Sequence, residues 1–172
     1  AQALETKQEL AIFCCGNSAR GDDGAGQYIH RSLTKIVSES LNAGNVDLVY
    51  AVQWQIEDVL ELTAEGVNLF IDASADQQES IKLSAVVKPA SLSVSSHCLQ
   101  PAQLLHVAQQ LHIVPKSVWL LSLKGYDFEL GATMSGQMTR QCKQACEVLA
   151  SLLNAWSKRL GAAHKNDNMR LE

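Results

Sequence analysis

Two adjacent aspartates in a glycine-rich turn are the side chains of this sequence best suited to chemistry. Asp22 and Asp23 lie in residues 16–26, between an apolar run that predicts a strand and a periodic stretch that predicts a helix. Turns of this shape usually present backbone N–H groups to a phosphate. Two carboxylates would repel a phosphate, whereas a divalent metal ion binds carboxylates well. The turn therefore predicts a site for a cation.

Two further side chains are candidates for the same site. Asp72 follows the apolar run 67–71, and His97 lies in a serine-rich stretch ahead of Pro101. Ligand sites of parallel sheets lie at the carboxyl ends of the strands, so Asp23, Asp72 and His97 are expected to converge there. Two carboxylates and one imidazole suit zinc, nickel, iron or manganese better than calcium, and the ligands alone do not select among them.

Each of these residues also has a plainer interpretation. Asp22 or Asp23 could cap the helix that follows the turn, and Asp72 could be a turn residue at the end of a strand. A histidine in a polar loop, such as His97, is commonly only solvated. The combination of these side chains at one predicted edge of the sheet is what favours a site.

The elements that would position these side chains follow from the apolar pattern. Strands are predicted at residues 11–15, 46–52, 67–71, 81–88 and 118–123, and helices at residues 25–43, 56–64, 101–111 and 135–160. Strands that alternate with helices predict an α/β fold, with three α/β/α layers around a central, mostly parallel, five-stranded twisted sheet. One domain is expected over residues 9–161, and the polar residues 162–172 are predicted to be a disordered tail.

The composition excludes several classes of function. The 172 residues carry a net charge of −4 and no basic face, which disfavours nucleic acid as a partner. No apolar run approaches the roughly 18 residues of a membrane span. The five cysteines are odd in number and two of them are adjacent, so a reducing cytoplasm is expected. Cys142 and Cys146 could form half a metal site, but two small core residues are the favoured interpretation.

The acidic turn resembles the opening motif of the [NiFe]-hydrogenase maturation endopeptidases. Glycines and an asparagine surround an acidic pair in that family, as they do in residues 16–26 here. The second acid of the family's pair is a metal ligand, and it falls on Asp23. The family's second ligand is an aspartate that closes an apolar strand, matched by Asp72. Its third is a loop histidine ahead of a helix, matched by His97, and the resemblance spans about residues 9–156.

The resemblance implies an endopeptidase that removes the C-terminal extension of a [NiFe]-hydrogenase large-subunit precursor after nickel insertion. Asp23, Asp72 and His97 would recognise the nickel that the precursor carries, and Asp22 or a carboxylate freed from the metal would act as general base. The free protein is expected to be a cytoplasmic monomer without a tightly bound metal, although zinc or cadmium could replace nickel in crystals. A non-proteolytic nickel-binding assembly chaperone for the same subunit is the alternative.

The sequence departs from the family pattern at two places. Cys14 stands where the family has its first glycine, and residues 51–55 replace an Asp-Gly-Gly-Thr-like turn after the second strand. That turn helps to select the hydrogenase in the family, so the choice of hydrogenase is not carried over. Gln53, Trp54 and Gln55 could form this chain's specificity surface, or a turn with a partly buried tryptophan. An unrelated α/β enzyme, such as a nucleosidase or a peptidyl-tRNA hydrolase, is disfavoured because the acidic turn would repel an anionic substrate.

Overall fold

The computed structural model describes residues 10–40, 46–87 and 99–168. Within these ranges the strands are β1 (Leu10–Cys15), β2 (Val46–Ala51), β3 (Val67–Ser74), β4 (Ile81–Ala85) and β5 (Ser117–Lys124). The α-helices are α1 (Ala25–Ser40), α2 (Pro101–Gln110) and α3 (Gly136–Asn168). Two short 3₁₀ helices, Gly21–Gly24 and Ile56–Glu61, precede α1 and follow β2.

The strands form one sheet in the order β2-β1-β3-β5-β4. The first four in this order pair in parallel, and β4 pairs antiparallel with β5 at the edge. Helices α1 and α3 pack on one face, whereas α2 and the 3₁₀ helix Ile56–Glu61 pack on the other. The predicted three-layer α/β fold with a mostly parallel sheet is therefore confirmed, and β1 lies between β2 and β3.

Side-chain alternation along the strands divides the core into two parts. In β1, Ile12 packs with α1 and α3, while Phe13 packs on the opposite face and stacks on Phe70, with ring centroids 4.7 Å apart. Because β1 is buried on both faces, its sequence is apolar without a break. Phe70 and Asp72 lie two residues apart in β3, so both side chains are on the face that α2 covers.

Glycines allow the turn after β1 to fold tightly. A Cβ at Gly26 would lie 1.9 Å from the carbonyl oxygen of Cys15, so α1 begins closer to the end of β1 than any other residue would permit. Gly16 has a φ of +141°, and a Cβ there would lie 1.8 Å from the carbonyl oxygen of Asp23. Because neither position carries a Cβ, the acidic turn can lie against the carboxyl end of the sheet.

Strand β3 is longer than the apolar run predicted. It continues to Ser74, because its last three residues pair with β5 in the register Asp72↔Ser122, Ala73↔Leu123 and Ser74↔Lys124. Asp72 therefore lies within the strand rather than after it. Its side chain takes its direction from the pleat of the sheet, which is more rigid than a loop.

Helix α3 is also longer than predicted. It continues to Asn168, so residues 162–168 are helical where the sequence predicted disorder, and residues 169–172 lie outside the described ranges. Alanines at 162 and 163 are strong helix formers that extend the hydrogen-bonding pattern. On its inner face, Cys142 is buried in the core and Cys146 packs against it, as expected. Neither α3 nor another helix in the described ranges is long and apolar enough to cross a membrane.

Candidate functional site

A cavity of about 520 Å³ opens at the carboxyl edge of the parallel strands. Its walls come from several elements, including Asp23 before α1, Asp72 of β3, Cys15 at the end of β1, Trp54 after β2, Leu99 ahead of α2 and Phe128 after β5. This is the edge at which open α/β sheets place their ligand sites. The structure thus brings together the two carboxylates that the sequence proposed as ligands.

Asp23 is held by the turn in which it lies. Its Oδ2 accepts a hydrogen bond from the backbone N–H of Asn17 at 3.0 Å. The N–H of Ala19 donates in turn to the Asn17 side-chain oxygen at 3.0 Å, which tightens the same turn. The Asp23 carboxylate remains partly exposed and lines the cavity, so it is accessible to a cation.

Burial strongly affects the titration of the Asp72 carboxyl. Burial raises its pKa from the ordinary value of 3.8 to about 7, and the nearby Asp23 charge adds to the rise. Two groups oppose this rise in pKa. The backbone N–H of Ala73 donates to Oδ1 of Asp72 at 2.8 Å, and the Trp54 side chain also lowers the pKa. Asp23 and Asp72 therefore lie close enough to repel each other, and a cation between them would remove that repulsion.

The raised pKa of Asp72 predicts a pH-dependent stability. Because the native carboxyl binds its proton more tightly than the unfolded one, the free energy of unfolding falls as the pH rises from about 4 to about 7. From pH 5 to pH 8, the free energy of unfolding of the wild type is expected to fall by about 2–3 kcal/mol more than that of Asp72→Asn. Urea unfolding of both proteins at each pH measures this difference. Parallel pH profiles for the two proteins would contradict the assignment.

Asp22 has a different environment from its neighbour. Its carboxylate is fully buried and accepts from the N–H of Ser135 at 2.7 Å, the N–H of Tyr126 at 2.8 Å, the Ser135 hydroxyl at 3.0 Å and the N–H of Asp127 at 3.3 Å. The Ser135 hydroxyl also accepts from the N–H of Met138 in the first turn of α3. Asp22 therefore joins the acidic turn to the loop after β5 and to the start of α3.

This arrangement favours a structural role for Asp22. The sequence left two roles open, a cap on the following helix and a general base. The structure shows no side-chain cap on the 3₁₀ helix that contains Asp22, and the carboxylate instead supports α3 through Ser135. Its use as a general base stays a prediction.

His97, the third predicted ligand, lies outside the described residues. Leu99, two positions later in the chain, lines the cavity. In residues 10–40, 46–87 and 99–168, no three His, Cys, Asp or Glu side chains come together as a group that could hold a metal ion. The convergence of His97 with Asp23 and Asp72 therefore stays a prediction.

The sequence left two interpretations open for the turn after β2, a specificity surface and a turn with a partly buried tryptophan. Gln53 and Gln55 are exposed, but Trp54 is only 2% exposed and forms part of the cavity wall. Trp54 is thus a residue of the site that sequence reasoning placed on a surface or in a turn. No local pattern marks it, because its burial depends on contact with Phe70, whose ring centroid lies 5.1 Å away.

Cys15 lies in the cavity wall but is poorly suited to be a nucleophile. Burial, followed by the charges of Asp72 and Asp23, raises the pKa of its thiol. The thiolate, which is the reactive form, is therefore disfavoured. The chemistry available at this edge is that of the two carboxylates, which can bind a cation or take up a proton.

Comparison with known proteins identifies the fold. No protein-family model matches the chain, and no curated protein matches its sequence. The [NiFe] hydrogenase maturation protease HycI from Thermococcus kodakarensis KOD1 is similar with a TM-score of 0.67 at 19% identity, over 86% of this chain and 93% of that chain. The hydrogenase maturating endopeptidase HybD from E. coli is similar with a TM-score of 0.62 at 16% identity, over 86% of this chain and 94% of that chain. A hydrogenase 2 maturation peptidase from a Thaumarchaeota archaeon is similar with a TM-score of 0.57 at 18% identity, over 85% of this chain and 98% of that chain.

Proposed function

We propose that this chain, which has the fold of the hydrogenase maturation proteases, removes the C-terminal extension of a [NiFe]-hydrogenase large-subunit precursor after nickel insertion. The observation that carries the proposal is the pair of carboxylates, Asp23 and Asp72, in one cavity at the carboxyl edge of the sheet. The resemblance of the acidic turn to the family's motif and the shared fold support the same activity independently of each other.

Nickel enters this scheme as part of the substrate. Asp23 and Asp72 repel each other while no cation lies between them, and we propose that they and His97 bind the nickel that the precursor presents. Because the repulsion is relieved only when nickel is present, the loaded precursor binds better than the empty one. Cleavage then reports that nickel insertion is complete, through a difference in affinity between the two forms.

Hydrolysis adds one water molecule across the scissile peptide bond. The water oxygen bonds to the carbonyl carbon, the C–N bond breaks, and one proton goes to the leaving amine. A cation beside the peptide can polarise the carbonyl or lower the pKa of the water. Asp22 is buried and fully hydrogen-bonded, so Asp23 or Asp72 is the better-placed carboxylate to take the proton from the water.

The surroundings of the cavity suit a protein substrate. Val52 lines the cavity and is exposed. Tyr126 and Leu130, which stand two positions on either side of the cavity residue Phe128 in the chain, are exposed as well. Exposed apolar groups that rim a polar site are typical of protein-binding surfaces. The four cysteines in the described ranges carry free thiols, which fits the reducing cytoplasm in which we place the reaction.

A processing assay tests this function. The purified full chain is incubated with a large-subunit precursor in its nickel-loaded and nickel-free forms, and the precursor's C-terminus is followed by mass spectrometry. We expect a shortened C-terminus only for the nickel-loaded form. A stable complex whose C-terminus stays intact would overturn the peptidase and favour the non-proteolytic assembly chaperone.

A further inference from the structure

The indole N–H of Trp54 is a buried donor without a proper acceptor. Its nitrogen makes no hydrogen bond of good geometry among the described residues, although the whole residue is only 2% exposed and its side chain interacts with the Asp72 carboxyl. A buried donor that is left unpaired costs about 1–3 kcal/mol, so an acceptor placed within reach of the indole would stabilise it. Trp54 and Asp72 line the same cavity, which makes the Asp72 carboxyl the candidate acceptor.

The position of the indole is fixed by stacked aromatic rings. Trp54 packs edge-on against Phe70, at an interplanar angle of 83°, and Phe70 stacks in parallel on Phe13. Phe70 precedes Asp72 by two residues in β3, so the ring that supports the indole and the carboxyl lie on one face of the same strand. This packing holds the indole beside Asp72.

We propose that Trp54 is a positioning residue whose indole N–H donates to the Asp72 carboxylate when that carboxylate binds a cation. This inference rests on the proposed function for the identity of the cation as substrate-borne nickel. Oδ1 of Asp72 already accepts from the N–H of Ala73, and an ionised carboxylate has room for a further donor. With both donors engaged, the carboxylate cannot rotate freely and presents one fixed set of lone pairs to the cation.

The electrostatics of Asp72 agree with this geometry. Burial raises the pKa of the Asp72 carboxyl overall, and the Trp54 side chain is one of the groups that oppose the rise. A donor that stabilises the ionised carboxylate also favours the form that binds a metal ion. Removing a group that hydrogen-bonds to a metal ligand typically lowers metal affinity or activity by about 10–100-fold.

The resemblance to the family motif does not supply this role. Trp54 lies in residues 51–55, where the family carries its Asp-Gly-Gly-Thr-like turn, so the family pattern supplies no equivalent indole. This turn thus contributes a residue to the wall of the site. Gln53 and Gln55 remain on the surface beside it.

The deciding experiment uses the indole N–H signals in ¹⁵N-labelled protein. The chain has three tryptophans, so three indole signals are expected. In the full chain carrying Asp72→Ala, and again when zinc ion is added to the wild type, we expect the Trp54 signal to shift while those of Trp119 and Trp156 stay in place. A Trp54 signal that is unmoved by both changes would overturn the proposal. Zinc alone is the probe, because it is diamagnetic and needs no precursor.

Zinc affinity provides the second measurement, with a matched control. Trp54→Phe keeps the aromatic ring and removes the N–H, and we expect it to weaken zinc binding by about 10–100-fold. Trp156→Phe removes another buried indole N–H without a partner, from the opposite face of the sheet, and should leave zinc binding unchanged. Equal affinities for wild type and Trp54→Phe would contradict the role.

The two readouts separate this inference from the proposed function. Neither uses the precursor, so a chain that fails to cleave still reports whether Trp54 acts on Asp72. If Trp54→Phe does not fold, as shown by circular dichroism, the signals of the wild type and of Asp72→Ala decide the matter. Cleavage by the wild type together with an unmoved Trp54 signal would reject the role of Trp54 alone.

Discussion

Replacing Asp23 or Asp72 by asparagine is expected to slow cleavage of the nickel-loaded precursor by about 100- to 1,000-fold. Asparagine preserves the shape of the side chain and an oxygen that can accept from Asn17 N–H or Ala73 N–H, so the local structure is kept. The negative charge that would attract the cation is lost. Single-turnover cleavage rates with saturating precursor measure the effect.

Asp127→Asn is the matched control for these two variants. Its side chain is exposed and accepts from the N–H of Glu129 in the loop after β5, so cleavage should stay near the wild-type rate. The Asp72→Asn variant should also be at least as stable as the wild type at pH 8, because it lacks a carboxylate that burial disfavours. Unchanged cleavage by Asp23→Asn and Asp72→Asn would refute the assigned site. His97→Ala extends the series to the third proposed ligand.

The adjacent substitution, Asp22→Asn, is expected to act on stability rather than on the site. The new NH₂ group must face the N–H of Ser135 or that of Tyr126, so two donors meet in a buried position. We expect a loss of about 3 kcal/mol or more in the free energy of unfolding, since bonds to a charged group are broken and a buried donor is left unpaired. This corresponds to a fall of about 10 °C in Tm. Urea and thermal unfolding measure both quantities.

Asp127→Asn serves as the control here too, because its side chain makes its bond at the surface of the same loop. Asp127→Asn should lower the free energy of unfolding by less than about 1 kcal/mol. If Asp22→Asn instead kept wild-type stability and lost cleavage, Asp22 would be the general base that the sequence left open. Folded protein at low temperature should retain part of its cleavage activity if the structural role is correct.

Local patterns explain why most of the fold could be predicted. The continuous apolar run of β1 and the helical periodicity after Ala25 depend only on neighbouring residues. The glycines of residues 16–26 likewise indicate a tight turn, and the structure shows the close approaches that require them at Gly16 and Gly26. The edge of the sheet that carries Asp23 and Asp72 follows from strand direction alone.

Distant contacts explain what could not be predicted. Asp22 is 104 and 113 residues from Tyr126 and Ser135, and no pattern in the sequence links them. Trp54 is buried because the sheet order places β2 and β3 on either side of β1, which brings the turn after β2 over Phe70. The last residues of β3 are strand because β5 is there to pair with them.

The amino-acid pattern alone therefore specifies an α/β sheet and an acidic turn at its carboxyl edge, since strands, helices and glycine turns depend on local preference and periodicity. It does not separate the roles of Asp22 and Asp23, which are adjacent in the chain and have the same side chain. The packed structure separates them, because successive residues of a tight turn point in different directions. Asp22 is buried among N–H donors from a distant loop, whereas Asp23 lies in the wall of the cavity with Asp72.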